Sequence, residues 1–240
     1  MQVHIFNTPA EVAEAAAMVF AAELYRKPDL IMGLATGSTP IQLYKKLAEL
    51  NEKKLIDFSR AKSFNLDEYE GLDGAHPCSY RCFMDDNLFN HININKKNTF
   101  VPSGMGDIEK NASEYDRMIG EAGGIDVQLL GIGHNGHIGF NEPSDAFVYG
   151  TNVVKLTDST LQANAKYFER PEDIPRRAIS LGIGGIMNAK RVLLLATGEG
   201  KAKAIRDTIQ GEPTGATPSS ILRFHPNAQI LIDREAARLL

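Results

Sequence analysis

The stretch Ile125–Pro143, IDVQLLGIGHNGHIGFNEP, decides how the rest of the chain is read. Its first eight residues form a short, nearly continuous apolar run. Such a run predicts a strand buried on both faces, as in the middle of a parallel sheet. Working outward, Leu30–Ala35 (LIMGLA) and Val192–Thr197 (VLLLAT) read the same way. Gln2–Phe6, Lys62–Leu66 and Gln229–Ile232 read as further strands. Between these runs the apolar residues take helical spacing. One helix starts behind a Thr8 cap, with Pro9 in its first turn and Glu11 three residues after the cap. Others are predicted over Ile41–Leu50, Tyr80–His91, Ile108–Ala122 and Lys201–Gln210. Alternating strands and helices predict an α/β fold, a mainly parallel sheet with helices on both faces and right-handed crossovers.

A chain of 240 residues suits one such domain over 1–240, and no internal repeat or low-complexity linker divides it. The net charge of −4 argues against a nucleic-acid partner, which calls for a basic face. No apolar run reaches the length of a membrane span, so no membrane association is expected. The start, MQVHIFNTPAEV, lacks the basic and apolar regions of a secretory leader. Cys78 and Cys82 are the two cysteines; they read as packing thiols, and such sparse use suits a cytoplasmic protein. Glu169–Arg177 (ERPEDIPRR) is dense in charge and proline, a surface loop and a candidate lid within residues 157–177.

In open parallel sheets ligands bind beyond the carboxyl ends of the strands, so the residues that follow each apolar run carry the functional signal. Thr36-Gly37-Ser38-Thr39-Pro40 joins a strand to a helix. Glycine allows close backbone approach, hydroxyls donate, and a helix N-terminus favours an anion such as phosphate. The alternative is a plain capped turn. Asp67-Glu68 follows Lys62–Leu66, and one of these adjacent carboxyls is a candidate general base. The loop Gly131–Pro143 holds four glycines, two histidines, two asparagines and Glu142. Histidine shuttles protons near neutral pH, so an acid–base site is the favoured reading. Metal ligation by His134, His137 and Glu142 is the alternative, but no metal is expected because further ligands are not evident. Lys201 follows Gly198-Glu199-Gly200 at the start of a helix, where a cation is out of place unless it meets an anion. Together these strand ends point to proton transfer on a small phosphorylated molecule.

GLATGSTP (33–40), FNLDEYEGL (64–72) and GIGHNGHIGFNEP (131–143) resemble the signatures of the glucosamine-6-phosphate deaminase family, the glucosamine/galactosamine-6-phosphate isomerases. The resemblance runs from the first strand to the closing IDREAARLL. The related 6-phosphogluconolactonases share a histidine loop but lack the FNEP ending. The resemblance implies the Rossmann-like sheet of ribose-5-phosphate isomerase and CoA-transferase-like proteins. It implies conversion of glucosamine 6-phosphate and water to fructose 6-phosphate and ammonia in amino sugar catabolism, with no cofactor. It makes Asp67 the base that moves a proton from C2 to C1, His137 the acid–base of ring opening, and Glu142 its support. Asn135 stands where some members carry aspartate and would orient the imidazole. Thr36, Gly37, Ser38, Thr39 and Lys201 would bind the phosphate. Lys166, in the segment Asn164-Ala165-Lys166-Tyr167-Phe168, replaces an arginine common in members and leaves the galactosamine epimer as an alternative substrate. A non-catalytic sugar-phosphate sensor is the reading from another class. The chain ends at Leu240, without the C-terminal extension of the hexameric members. Asn152 and Val154 replace basic residues that bind an N-acetylated activator. A monomer without such activation is therefore expected.

Overall fold

A computed structural model describes residues 1–165, 168, 170 and 173–240. In chain order the regular elements begin with β1 (Gln2–Phe6), α1 (Pro9–Arg26), β2 (Ile31–Leu34), α2 (Pro40–Glu52), β3 (Lys62–Asn65) and β4 (Asp67–Tyr69). Next come α3 (Tyr80–Met84), β5 (Thr99–Phe100), α4 (Ile108–Ala122), β6 (Val127–Leu130) and β7 (Asn152–Lys155). They end with α5 (Asp158–Asn164), β8 (Arg177–Ser180), α6 (Ile183–Met187), β9 (Arg191–Ala196), α7 (Ala202–Gln210) and β10 (Ala228–Asp233).

Seven strands form a parallel sheet in the order β1-β10-β9-β6-β2-β3-β5, flanked by helices on both faces. The expected α/β architecture is therefore the one the chain adopts. β2, β6 and β9 are buried along almost their whole length, which is what their apolar runs require. Gln128 is the polar exception in β6. Its side chain lies over Gly33 of β2, where any Cβ would come within 2.1 Å of its Oε1, and its Nε2 donates to Leu129 O at 2.8 Å. The large core includes Phe20, Phe58, Phe64 and Met32, all at most 2 % exposed. Each such side chain contributes about 1.5–3 kcal/mol on burial.

At the amino ends of the strands, buried Asp126 accepts from Lys27 Nζ (2.6 Å), Lys190 Nζ (2.7 Å) and Ile31 N (2.8 Å). This clamp ties β2 to the segment entering β6 and leaves the opposite, carboxyl end of the sheet free for a site. There β9, β6, β2 and β3 lie side by side. The chain leaves β2 towards β3 on one side, whereas β6 is followed in this sheet by β9 on the other. The topological switch therefore falls between β2 and β6, where crevices form in such sheets.

The structure departs from the sequence reading in several places, among them β5, a two-residue edge strand too short to show as an apolar run, and α6, a five-residue helix absent from that reading. A second, antiparallel sheet β4-β8-β7 packs a smaller core of Tyr69, Leu72, Phe140, Leu156 and Ala178. Its strands are short and only partly apolar, and Arg177, read as the end of a loop, opens β8. The helix expected over Tyr80–His91 is α3 followed by a π-helical turn at Asp85–Phe89. Asn87 Nδ2 donates to Phe83 O at 2.8 Å, taking the carbonyl that the backbone N–H four residues on would use. The ladder widens, so that Asn90 N reaches Asp85 O at 3.1 Å. Among the described residues no helix is long and apolar enough to cross a membrane.

Candidate active site

The loops after β2, β3, β6 and β9 enclose a cavity of about 690 Å³. Its lining includes Thr36, Gly37, Ser38, Thr39, Asp67, Asn135, His137 and Lys201, eight residues singled out in the sequence. Glu142 stands behind His137 rather than on the wall. Lys166 lies outside the described residues.

Part of the cavity wall is formed by the loop entering α2 and by Lys201. Gly37 has φ +101°, a conformation that favours glycine and turns the loop from β2 into α2. Thr39 occupies the N-cap position but makes no side-chain cap, and Pro40 follows it. The first-turn N–H groups of a 13-residue helix are thus left without a side-chain acceptor. Lys201 stands at the N-cap of α7 and donates from Nζ to Ile132 O at 2.7 Å. Its mismatch with the helix start is explained by this inward reach. Burial pushes the Lys201 ammonium below its ordinary pKa. Lys203, unnoticed in the sequence, also lines the cavity while pairing with Asp207 at 2.6 Å.

The adjacent carboxyls separate because side chains alternate along a strand. Asp67 and Tyr69 line the cavity and Glu68 does not. No side chain among the described residues hydrogen-bonds the Asp67 carboxyl. Burial, reinforced by the neighbouring Glu68 charge, pushes Asp67 up to about 8. Glu68 accepts from Tyr69 N (2.9 Å), Tyr80 N (3.0 Å) and Arg81 N (3.1 Å), fastening the start of α3 to β4. Burial raises its pKa to about 7 against the pull of those donors.

The histidine loop forms a relay behind the cavity wall. His137 Nδ1 lies 3.2 Å from Glu142 Oε1, an ionic contact without the alignment of a full hydrogen bond. Asn135 Nδ2 donates to Glu142 Oε2 at 2.7 Å, and Thr160 Oγ1 donates to Oε1 at 2.5 Å. Burial raises the Glu142 pKa, but His137, Thr160 and Asn135 outweigh it and hold the carboxyl at about 2. Asn135 Oδ1 also accepts from His137 N at 3.2 Å, so the amide braces both partners. His134 also lines the cavity, but its Nδ1 is engaged by Gly200 O at 2.8 Å. The three-ligand metal arrangement is therefore not formed, and among the described residues no other cluster suited to a metal occurs.

Aromatic rings close the cavity on the side of the second sheet. Tyr69 stacks obliquely on Tyr80 with centroids 4.8 Å apart, and Phe140 and Phe168 each lie 5.8 Å from Tyr69. Tyr80 Oη donates to Tyr69 Oη at 3.2 Å. Cys78 also lines this wall, whereas Cys82 sits outside it near Asp86. The aromatic wall and Thr160 escaped sequence reasoning. The one usable signal was alternation in β4, which puts Tyr69 on the face of Asp67.

A strand-end crevice that joins a helix start to a buried carboxyl and to a histidine beside a carboxylate is the site of an α/β enzyme with groups able to exchange protons. The chain belongs to the family described as glucosamine-6-phosphate isomerases/6-phosphogluconolactonase, whose model matches residues 7–231. It is 51% identical over 241 residues to a glucosamine-6-phosphate deaminase of Clostridium botulinum (strain Eklund 17B / Type B), covering 100% of this chain and 97% of the relative. It is 48% identical over 241 residues to a glucosamine-6-phosphate deaminase of Thermoanaerobacter pseudethanolicus (strain ATCC 33223 / 39E), covering 100% and 95%. A solved monomeric glucosamine-6-phosphate deaminase superposes with a TM-score of 0.97 at 41% identity, over 100% of both chains. The 6-phosphogluconolactonase of Thermotoga maritima shares the fold at 20% identity, with a TM-score of 0.76 over 97% and 99% of the two chains.

Proposed function

We propose that this chain converts glucosamine 6-phosphate and water to fructose 6-phosphate and ammonia. The observation that carries the reading is the convergence of Asp67, His137 and the α2 N-terminus on one cavity. Its volume lies in the range of small-molecule sites. The phosphate sits on Gly37, Ser38, Thr39 and the α2 N–H groups, with Thr36 beside them and Lys201 as counter-charge. His137, held by Glu142 and Asn135, moves the proton between the ring oxygen and the C1 hydroxyl that opens the pyranose. Ionised Asp67 removes the C2 proton of the open aldehyde and returns it to C1. The resulting C2 imine adds water and expels ammonia, leaving the ketose. These steps need only a carboxylate and an imidazole, so no cofactor is assigned.

Four further readings accompany this one. α5 and Phe168 belong to a lid expected within residues 157–177, part of which lies outside the described residues, that shields the sugar. The chain works as a monomer, as the solved relative is described. It lacks activation by an N-acetylated sugar phosphate, because Asn152 spends its amide on Gly150 O at 3.0 Å and Val154 packs against the small core. The substrate class points to the cytoplasm.

The decisive assay is ammonia and fructose 6-phosphate release from glucosamine 6-phosphate, with galactosamine 6-phosphate in parallel. Equimolar products from the glucosamine sugar are expected. Release from the galactosamine sugar alone would reassign the substrate, and release from neither would overturn the reading.

A further inference from the structure

The Glu142 carboxylate is held from two directions, and one of them comes from outside the histidine loop. Thr160 lies on α5, eighteen residues beyond Glu142, and is only 4 % exposed. Its Oγ1 donates to Glu142 Oε1 at 2.5 Å, the same oxygen that faces His137 Nδ1 at 3.2 Å. The direction of this hydroxyl is determined by its neighbour. Thr157, the N-cap of α5, donates from its own Oγ1 to Thr160 Oγ1 at 3.1 Å. That bond occupies a lone pair of Thr160 and leaves its hydrogen for Glu142. A one-way relay therefore runs from Thr157 through Thr160 to the carboxylate.

Asn135 holds the far oxygen, Oε2, at 2.7 Å. Alone it leaves the carboxylate free to turn about the Asn135 bond. The contact between His137 and Oε1 lacks hydrogen-bond alignment and cannot by itself prevent that rotation. Thr160 supplies the second fixed point. It also lines the cavity, so any movement of α5 is transmitted directly to the carboxylate.

We propose that Thr160 is a positioning residue that holds Glu142 against His137, making correct placement of α5 a condition for proton transfer. The assignment of proton transfer to His137 rests on the proposed function; the placement of Glu142 does not. Thr160→Val keeps the shape and removes the donor, whereas Thr160→Ser keeps the donor. In T160V, kcat for glucosamine 6-phosphate should fall about tenfold, the factor set by one hydrogen bond to a charged group, with KM changed less than threefold. T160S should restore most of the loss. A purely structural role would instead lower thermal stability and leave kcat of the folded fraction near wild type. Crystal structures of the wild type and both variants give a readout that needs no substrate. Glu142 should leave His137 in T160V and stay in T160S. An unmoved Glu142 in T160V, or an undiminished kcat, would overturn the proposal. Wild-type protein inactive on the sugar would overturn the functional reading, while the three structures would still decide the role of Thr160.

Discussion

Asp67 and Glu68 are neighbours in β4, yet Asp67 faces the cavity without a hydrogen-bonding side chain among the described residues while Glu68 takes three backbone N–H groups. Under the proposed function the division gives chemistry to one carboxyl and architecture to the other. Asp67→Asn should lower kcat by about 10²–10⁴-fold, the range of a positioned base, with the fold retained. Glu68→Ala should instead cost about 1–3 kcal/mol of stability by orphaning the N–H groups of Tyr80 and Arg81. Steady-state kinetics and denaturant unfolding of both variants check the split. Equal turnover in D67N and wild type would remove Asp67 from the mechanism.

The raised pKa of Asp67 gives activity and stability opposite responses to pH. A base must be ionised, so kcat/KM should rise about tenfold per pH unit below about 8 and level off above it, until another group titrates. Stability runs the other way. Between the unfolded value of 3.8 and the folded value of about 8, the native state keeps a proton that the unfolded chain has released. Asp67 therefore favours the fold at low pH and loses that contribution as pH rises towards 8. D67N removes the dependence, so its stability relative to wild type should grow by up to about 4 kcal/mol between pH 5 and pH 9. Unfolding curves at the two pH values test this, and a constant difference would contradict the burial of an unpaired carboxyl.

The two carboxyls also show where sequence reading ran out. The pair stood out because charge directly after an apolar run is unusual; the family resemblance pointed to Asp67, but the residues alone do not choose between Asp67 and Glu68 without the pleat of β4. That strand is visible only through Ser180, Ile179 and Ala178, more than a hundred residues away. The large sheet was legible because run length and turn residues are local signals. The second sheet was not, because β7 and β8 are short and their pairing is set by tertiary contacts. The loop between β2 and α2, the histidine loop and Lys201 could be read from their positions after strands. Thr160 and the aromatic wall carry no comparable local mark. The π-helical turn depends on one side chain, Asn87, competing for a carbonyl.

Lys201 separates binding from chemistry. Its Nζ is drawn inward by Ile132 O, 2.7 Å away, in the cavity that the N-terminus of α2 also lines. Lys201→Ala should raise KM about 10–100-fold, the loss expected for a hydrogen bond to a charged group, with a smaller effect on kcat. Inhibition by inorganic phosphate should weaken by the same factor. Lys201→Arg should not restore affinity, because a planar fork cannot occupy the space of a compact, partly buried ammonium. A KM unchanged in K201A would leave the α2 N-terminus as the whole of the phosphate site.

Gly133 tests the position of His137 without touching the imidazole. Its N–H donates to His137 O at 2.9 Å, which closes the loop, and its φ lies outside the left-handed region, so alanine suits its backbone. The space does not suit it. A Cβ at Gly133 would fall 2.5 Å from Cε1 and 2.6 Å from Nδ1 and Nε2 of His137. The ring must therefore move, and the 3.2 Å contact with Glu142 moves with it. A displacement near 1 Å is enough to cost about 10²-fold in rate when geometry governs proton transfer. Gly133→Ala should show that loss in kcat, with a smaller change in KM and in inhibition by phosphate, which report separately whether the neighbouring Ile132 carbonyl and the Lys201 Nζ it holds have shifted. Unchanged kcat in a folded G133A protein would mean that the reaction does not depend on His137 being held where the loop now holds it.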